Sequence, residues 1–224
     1  MEQISKAVFI DHTNLSPIAN KEDIIRLCRE AVSYNFASVC ILPYHVHLAV
    51  KELQGTNIMV CTVVGFPLGG QDSRAKAYEA RLAAEQGAAE IDMVINLSAL
   101  KSGEYDYVGR DIASVVEAAA PAKVKVIIEA CYLSEEEKKL ACRAAMLAGA
   151  AFVKTSTGLG QGGAKAEDVS LMRQMVGKNM GVKAAGGIRA MEDMEAMLAA
   201  GANRIGTSAG VAIMEQYLTL VNGL

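Results

Sequence analysis

Nowhere in the 224 residues do three lysines or arginines stand in a row, and the formal net charge is −3. The chain therefore lacks the electrostatic footprint of a nucleic-acid-binding protein. It also lacks an uninterrupted apolar stretch of membrane-spanning length. The opening residues, Met1 to Lys6, are mostly polar and run straight into Val8-Phe9-Ile10, with no basic segment ahead of an apolar one. No leader and a cytoplasmic location are the resulting expectations. There is no C-x-x-C spacing, and the cysteines (Cys28, Cys40, Cys61, Cys131 and Cys142) are odd in number. That speaks against a disulfide framework and a zinc site, and it favours buried thiols in a reducing compartment. Histidine is scarce. His45-x-His47 has a metal-like spacing, but it follows Pro43 at an expected helix start, and residues two apart do not share a helical face. No metal is expected.

Hydrophobic residues make up 52% of the chain and charged residues 21%, a globular composition with enough apolar mass for one substantial core. A quasi-repeat organises it. Helical stretches end in Gly-Ala and pass at once into an apolar strand, at Gly87-Ala88, Gly149-Ala150 and Gly201-Ala202. Glycine there can take the left-handed conformation that closes a helix, and a short αβ connection follows. This reading predicts eight strands: Ala7–Asp11, Ser38–Leu42, Met59–Gly65, Ile91–Asn96, Lys125–Glu129, Phe152–Ser156, Val182–Ala185 and Arg204–Thr207. Between them lie stretches of helical periodicity, one opening on the capping-box pattern Ser134 to Glu137. Strand–helix alternation throughout predicts a parallel sheet covered by helices. Eight units with no internal boundary predict a closed (β/α)₈ barrel, an α/β fold occupying residues 1–224 as one domain.

Two of these strands carry a lysine near the carboxyl end: Phe152-Val153-Lys154-Thr155 and Val182-Lys183-Ala184. An ammonium taken out of water without a partner is costly, so a pair of them points to chemistry that needs an amine. Side chains alternate along a strand. Ile91, Met93 and Ile95 suit the helix layer, which turns Asp92, Val94 and Asn96 into the barrel; Lys154 and Lys183 face inward by the same rule. Asp11, read as ending the first strand, could join them. Two ammoniums roughly 6 Å apart at an effective dielectric near 20 repel by about 3 kcal/mol, enough to raise the free-amine fraction of one about a hundredfold. Asp92 would hold Lys183 charged and leave Lys154 the better nucleophile, with Lys183 and Asp92 passing protons. A purely structural ion-pair cluster would use the same residues. So would a phosphate-binding isomerase or synthase using lysine and aspartate as plain acid and base, or a non-catalytic sugar-phosphate binder.

Glycines and small hydroxyls gather after the last strands: Gly158, Gly186, Gly187, Gly206, Thr207 and Ser208, the last leading into a helix expected from Ala209. Backbone amides at such turns and at a helix start suit an anion, and barrels commonly hold phosphate there.

Seven segments taken in order resemble the deoxyribose-phosphate aldolase family: Ile10-Asp11-His12-Thr13, Val39-Cys40-Ile41, Val63-Val64-Gly65-Phe66-Pro67, Glu90 to Asn96, Lys154-Thr155-Ser156-Thr157-Gly158, Lys183 to Gly187, and Arg204 to Ser208. The resemblance spans nearly the whole chain. It implies a cofactor-free class I aldolase acting on 2-deoxy-D-ribose 5-phosphate, with D-glyceraldehyde 3-phosphate and acetaldehyde as the other partners. Lys154 would form the Schiff base, Lys183 would favour its free-amine form, and Asp92 with Lys183 would relay protons. Asp11 would support the lysines. Cys40 would line the pocket, although inert packing explains it equally well. A homodimer paired through outer helices is the expected assembly. Two departures stand out. Some members end in a mobile tail with a terminal tyrosine, whereas here the last tyrosine is Tyr217, in an expected helix, and the sequence ends Val221-Asn222-Gly223-Leu224. Proton exchange would then rely on Asp92, Lys183 and water, or be slower. Ala209 also stands where many relatives have another serine, so phosphate binding would rest on backbone amides.

Overall fold

The structure, a computed structural model, describes residues 6–221. Eight parallel strands close into a barrel in sequence order, the first pairing with the last: β1 (Ile10–Asn14), β2 (Ser38–Ile41), β3 (Met59–Val64), β4 (Glu90–Val94), β5 (Lys123–Ile127), β6 (Phe152–Lys154), β7 (Gly181–Ala185) and β8 (Arg204–Thr207). Around them run α1 (Lys21–Tyr34), α2 (Val46–Glu52), α3 (Ser73–Glu85), α4 (Leu97–Lys101), α5 (Tyr105–Ala119), α6 (Glu135–Leu147), α7 (Ala166–Val176), α8 (Met191–Ala199) and α9 (Gly210–Val221). The expected (β/α)₈ architecture is present.

Alternation along each strand builds two separate cores. The outer one packs helices against residues such as Val39, Ile41, Ile91, Met93 and Val153, all fully buried. A small second cluster, Cys40, Cys61 and Val63, comes from the intervening positions and lies within the barrel. Helix starts follow the local chemistry. Ser134 and Glu137 form the expected capping box on α6, and Asn20 with Asp23 forms another on α1. Each satisfies amides that a helix start leaves without partners.

Most strands shift by one to three residues from expectation at one or both ends; β6, for example, ends at Lys154 rather than Ser156. Lys6–Phe9 forms a 3₁₀ turn, and β1 begins only at Ile10, so Asp11 sits near the start of its strand rather than at its end. A short apolar run reads the same as strand or as turn, so its pattern could not separate them. Strand β4 stops at Val94, and the Asn96 side chain leaves the barrel direction to accept a hydrogen bond from the Ala99 amide, capping α4 at 3.0 Å. Strand β5 starts at Lys123, two residues earlier than read.

Outside the barrel a buried charge pair ties two helices to the sheet. The Lys76 ammonium on α3 donates to Asp111 Oδ2 on α5 at 2.6 Å and to the Val94 carbonyl at 3.0 Å, with both side chains fully buried. Burial draws the Lys76 pKa down while Asp111 works against that. Gly65, at φ +62°, leaves room for the lysine stem, because a Cβ there would lie 3.1 Å from it. Lys76→Met would strand a buried carboxylate and is expected to cost about 3–5 kcal/mol in urea unfolding. Adding Asp111→Leu should recover much of that loss, since an apolar pair leaves nothing unpaired.

Candidate active site

At the carboxyl ends of the strands lies a cavity of about 660 Å³, a size suited to a small ligand. The β1–α1 loop with the start of α1 lines one side of it, and the turns after β6, β7 and β8 line the other. Lys154 borders the cavity, and its side chain is 3% exposed. All six glycine and hydroxyl positions expected to hold phosphate also border it: Gly158, Gly186, Gly187, Gly206, Thr207 and Ser208. Gly158, Gly186 and Gly187 have φ of +85°, +90° and +81°, a region that side-chain-bearing residues rarely adopt. The Thr207 hydroxyl is committed within the fold: it donates to the Ile188 carbonyl at 2.7 Å and accepts from the Ala209 amide at 2.9 Å.

Beneath the cavity the barrel interior holds an ion cluster. Lys154 and Lys183 both donate to the same atom, Asp92 Oδ2, each at 2.7 Å. Their nitrogens are therefore less than about 5.5 Å apart, close enough for strong repulsion in a dry interior. Lys183 has a second carboxylate, Asp11, at 2.5 Å, whereas Asp92 supplies the one ion pair of Lys154 among the described residues. Asp92 is expected to hold Lys183 charged and leave Lys154 the better nucleophile; in the structure both lysines share its Oδ2, and of the two only Lys183 also contacts Asp11.

A third lysine was not recognised from the sequence as part of the site. Lys125, fully buried on β5, contacts Asp92 Oδ1 at 2.9 Å, Glu90 at 2.6 Å and Asp11 at 3.6 Å. Arg204 closes the base, reaching Asp11 at 2.7 Å and Glu90 at 2.8 Å. The alternation Lys123-Val124-Lys125-Val126 already marked Lys125 as inward-facing. Burial disfavours the charged forms of Asp11, Asp92, Lys125, Lys183 and Arg204, and for these five the opposing charges outweigh it. Lys183 and Lys125 are held charged well above the ordinary lysine range by Asp11 and Asp92 among others, and Asp92 is held well below the ordinary carboxylate range by the three lysines.

Two thiols complete the interior. Cys61 donates to Asp92 Oδ1 at 3.1 Å, and burial pushes its pKa upward. Cys40 lies 4.0 Å from Asp92 Oδ2, and its pKa is drawn down by a hydrogen bond with the free Cys61 thiol despite burial. Cys40 is thus part of the ionic interior, but it does not border the cavity as expected. Cys40, Cys61 and Asp92 present donor atoms within 4.8 Å of one another. The same carboxylate already faces three ammoniums, so a divalent ion there would have to displace lysines. The His45-x-His47 pair diverges, with His45 buried and His47 exposed. His12 is also buried; its Nε2 lies 2.7 Å from Glu30 on α1. Tyr217 lies in α9 as expected, 5.6 Å below the Lys6 ammonium measured to its ring centre, and residues 222–224 lie outside the described residues.

Residues 6–216 match the DeoC/LacD family aldolase. The chain is 61% identical over 213 residues to the deoxyribose-phosphate aldolase of Thermococcus gammatolerans, covering 93% of this chain and 95% of that protein. It is 56% identical to the Bacillus subtilis protein of the same name, with 95% and 96% covered. Among solved structures it superposes on the tetrameric deoxyribose phosphate aldolase of Aeropyrum pernix with a TM-score of 0.89 and 36% identity, covering 96% of this chain and 91% of that one. No helix among the described residues is long and apolar enough to cross a membrane. The chain belongs to the DeoC/LacD family of aldolases.

Proposed function

We propose that this chain is a class I aldolase that reversibly cleaves 2-deoxy-D-ribose 5-phosphate to D-glyceraldehyde 3-phosphate and acetaldehyde, with Lys154 as the Schiff-base lysine. One observation carries the assignment of roles. Of the three lysines that meet at Asp92, Lys154 alone borders the cavity, and it is held by a single carboxylate while the others have more than one. The amine of Lys154 attacks the aldehyde carbon, and loss of water leaves a protonated imine. That imine is an electron sink, so the C2–C3 bond breaks as the 3-hydroxyl gives up its proton. The resulting enamine is protonated and hydrolysed to acetaldehyde. Asp92 and Lys183 move the protons through water, and Asp11 keeps Lys183 charged. The imine itself supplies the electrophile, so the reaction as proposed needs no cofactor. The sugar's phosphate sits among Gly158, Gly186, Gly187, Gly206 and Ser208, drawn by backbone amides because the Thr207 hydroxyl is engaged elsewhere.

We also place the enzyme in the cytoplasm, as a homodimer. Exposed Tyr78 and Leu82 on α3 and Leu147 on α6 supply apolar surface on the helical layer through which barrels commonly pair. Borohydride added with acetaldehyde tests the covalent route. An ethyl adduct on the peptide carrying Lys154 is expected; turnover with that peptide unmodified would instead support a plain acid–base enzyme.

A further inference from the structure

Glu129 stands just past the end of β5 in a conformation that side-chain-bearing residues rarely adopt, with φ +49° and ψ +62°. It is 2% exposed, and among the described residues no cation pairs with it. A carboxylate taken from water without a counter-ion and a left-handed backbone are two separate costs, and such costs gather at functional positions. What Glu129 does hold is one residue. Both its oxygens accept from the Thr157 amide at 3.2 Å, and Oε2 also accepts from the Thr157 hydroxyl. That hydroxyl in turn accepts from the Leu159 amide at 3.1 Å. Gly158 is bracketed between these bonds. Thr157, Gly158 and Leu159 border the cavity, whereas Glu129 does not, so the carboxylate grips this loop from behind. The far end of the same loop is tied to the neighbouring turn, where the Ala164 amide donates to the Gly186 carbonyl at 2.9 Å. Gly160 lies against the carboxylate, where a Cβ would come within 3.2 Å of the Glu129 carboxyl carbon.

We infer that Glu129 is a positioning residue for substrate specificity: by clamping Thr157 it holds the Gly158 turn in the shape that receives the sugar's phosphate. The inference rests on the proposed phosphate site. An acid placed in the cavity would repel phosphate; placed behind the loop, it orders backbone donors without facing the anion. The neighbouring amides of Ile128 and Ala130 donate to the carbonyls of Lys154 and Thr155 at 3.0 and 2.9 Å, so the discriminating measurement must separate phosphate recognition from the lysine chemistry.

The test compares 2-deoxyribose 5-phosphate with unphosphorylated 2-deoxyribose in the wild type, Glu129→Gln and Gly160→Ala. Gly160→Ala leaves both clamp residues chemically intact and crowds the carboxylate, so it serves even if Glu129→Gln folds poorly. Each variant is expected to lose about 10- to 100-fold in kcat/KM on the phosphorylated sugar, the scale of one charge-assisted hydrogen bond. The loss should fall on KM, with kcat and the activity on 2-deoxyribose held within about twofold of wild type on that same scale. Calorimetry with inorganic phosphate should show weakened binding in parallel. Equal losses on both sugars, or none, would overturn the clamp. A wild type that treats the two sugars alike would sink the phosphate reading and this inference with it.

Discussion

Lys154→Met is expected to abolish turnover of 2-deoxyribose 5-phosphate and borohydride trapping, by on the order of 10⁴-fold or more, while leaving the fold at least as stable. The activity loss follows from removing the amine that borders the cavity. The stability expectation follows from counting charge. With every group ionised, Lys125, Lys154, Lys183 and Arg204 face Asp11, Glu90 and Asp92, an excess of one cation in a largely buried cluster. Methionine keeps the length of the lysine stem and removes that excess. Thermal melting at or above the wild-type value, with activity gone, is the expected pair of results. A variant retaining even a hundredth of wild-type turnover would show that the covalent bond forms elsewhere.

Asp92→Asn is expected to fail in both respects. Asp92 receives Lys125 on one oxygen and Lys154 and Lys183 on the other, so the amide leaves three buried ammoniums around a neutral group. Breaking a buried pair by removing one partner costs about 3–5 kcal/mol, which for a chain of this length lowers the melting temperature by about 10 °C. Proton transfer should slow by about 10²- to 10⁴-fold, the range for a lost acid–base group. Calorimetric melting and steady-state kinetics on one preparation check both halves. Near-normal stability would mean that the lysines find other partners, and near-normal turnover would remove Asp92 from the relay. The contrast with Lys154→Met is the sharper criterion, since two neighbours joined by a 2.7 Å bond should move stability in opposite directions.

Alternation made the heart of the site legible. Asp92, Lys154 and Lys183 each occupy the inward parity of a largely apolar strand, a property of the strand alone, and the two lysines meet at one oxygen of the aspartate. Lys125 obeys the same parity yet carries no comparable signal, because it opens the expected strand Lys125–Glu129 and lacks the following glycines that single out the other lysines. Its neighbour across the sheet is Asp92, a pairing that belongs to the register between β4 and β5. Asp11 shows the converse. Its polar character within an apolar segment marked it, but the strand begins later than the pattern implied, and only closure of β1 against β8 brings it beside Arg204 and Lys183. Glu129 carried no local signal, because nothing in a glutamate's neighbours announces a left-handed backbone.

Eight strand–helix units, inward-facing charge and glycine turns after the late strands were determined by the order of residues, since each depends on periodicity or on conformational freedom within a few positions. Which charges share a level inside the barrel, which lysine reaches the cavity, and which carboxylate holds a loop from behind were decided by the tertiary structure. Those relations depend on the stagger between strands, and stagger is set by closing the sheet on itself rather than by any segment alone.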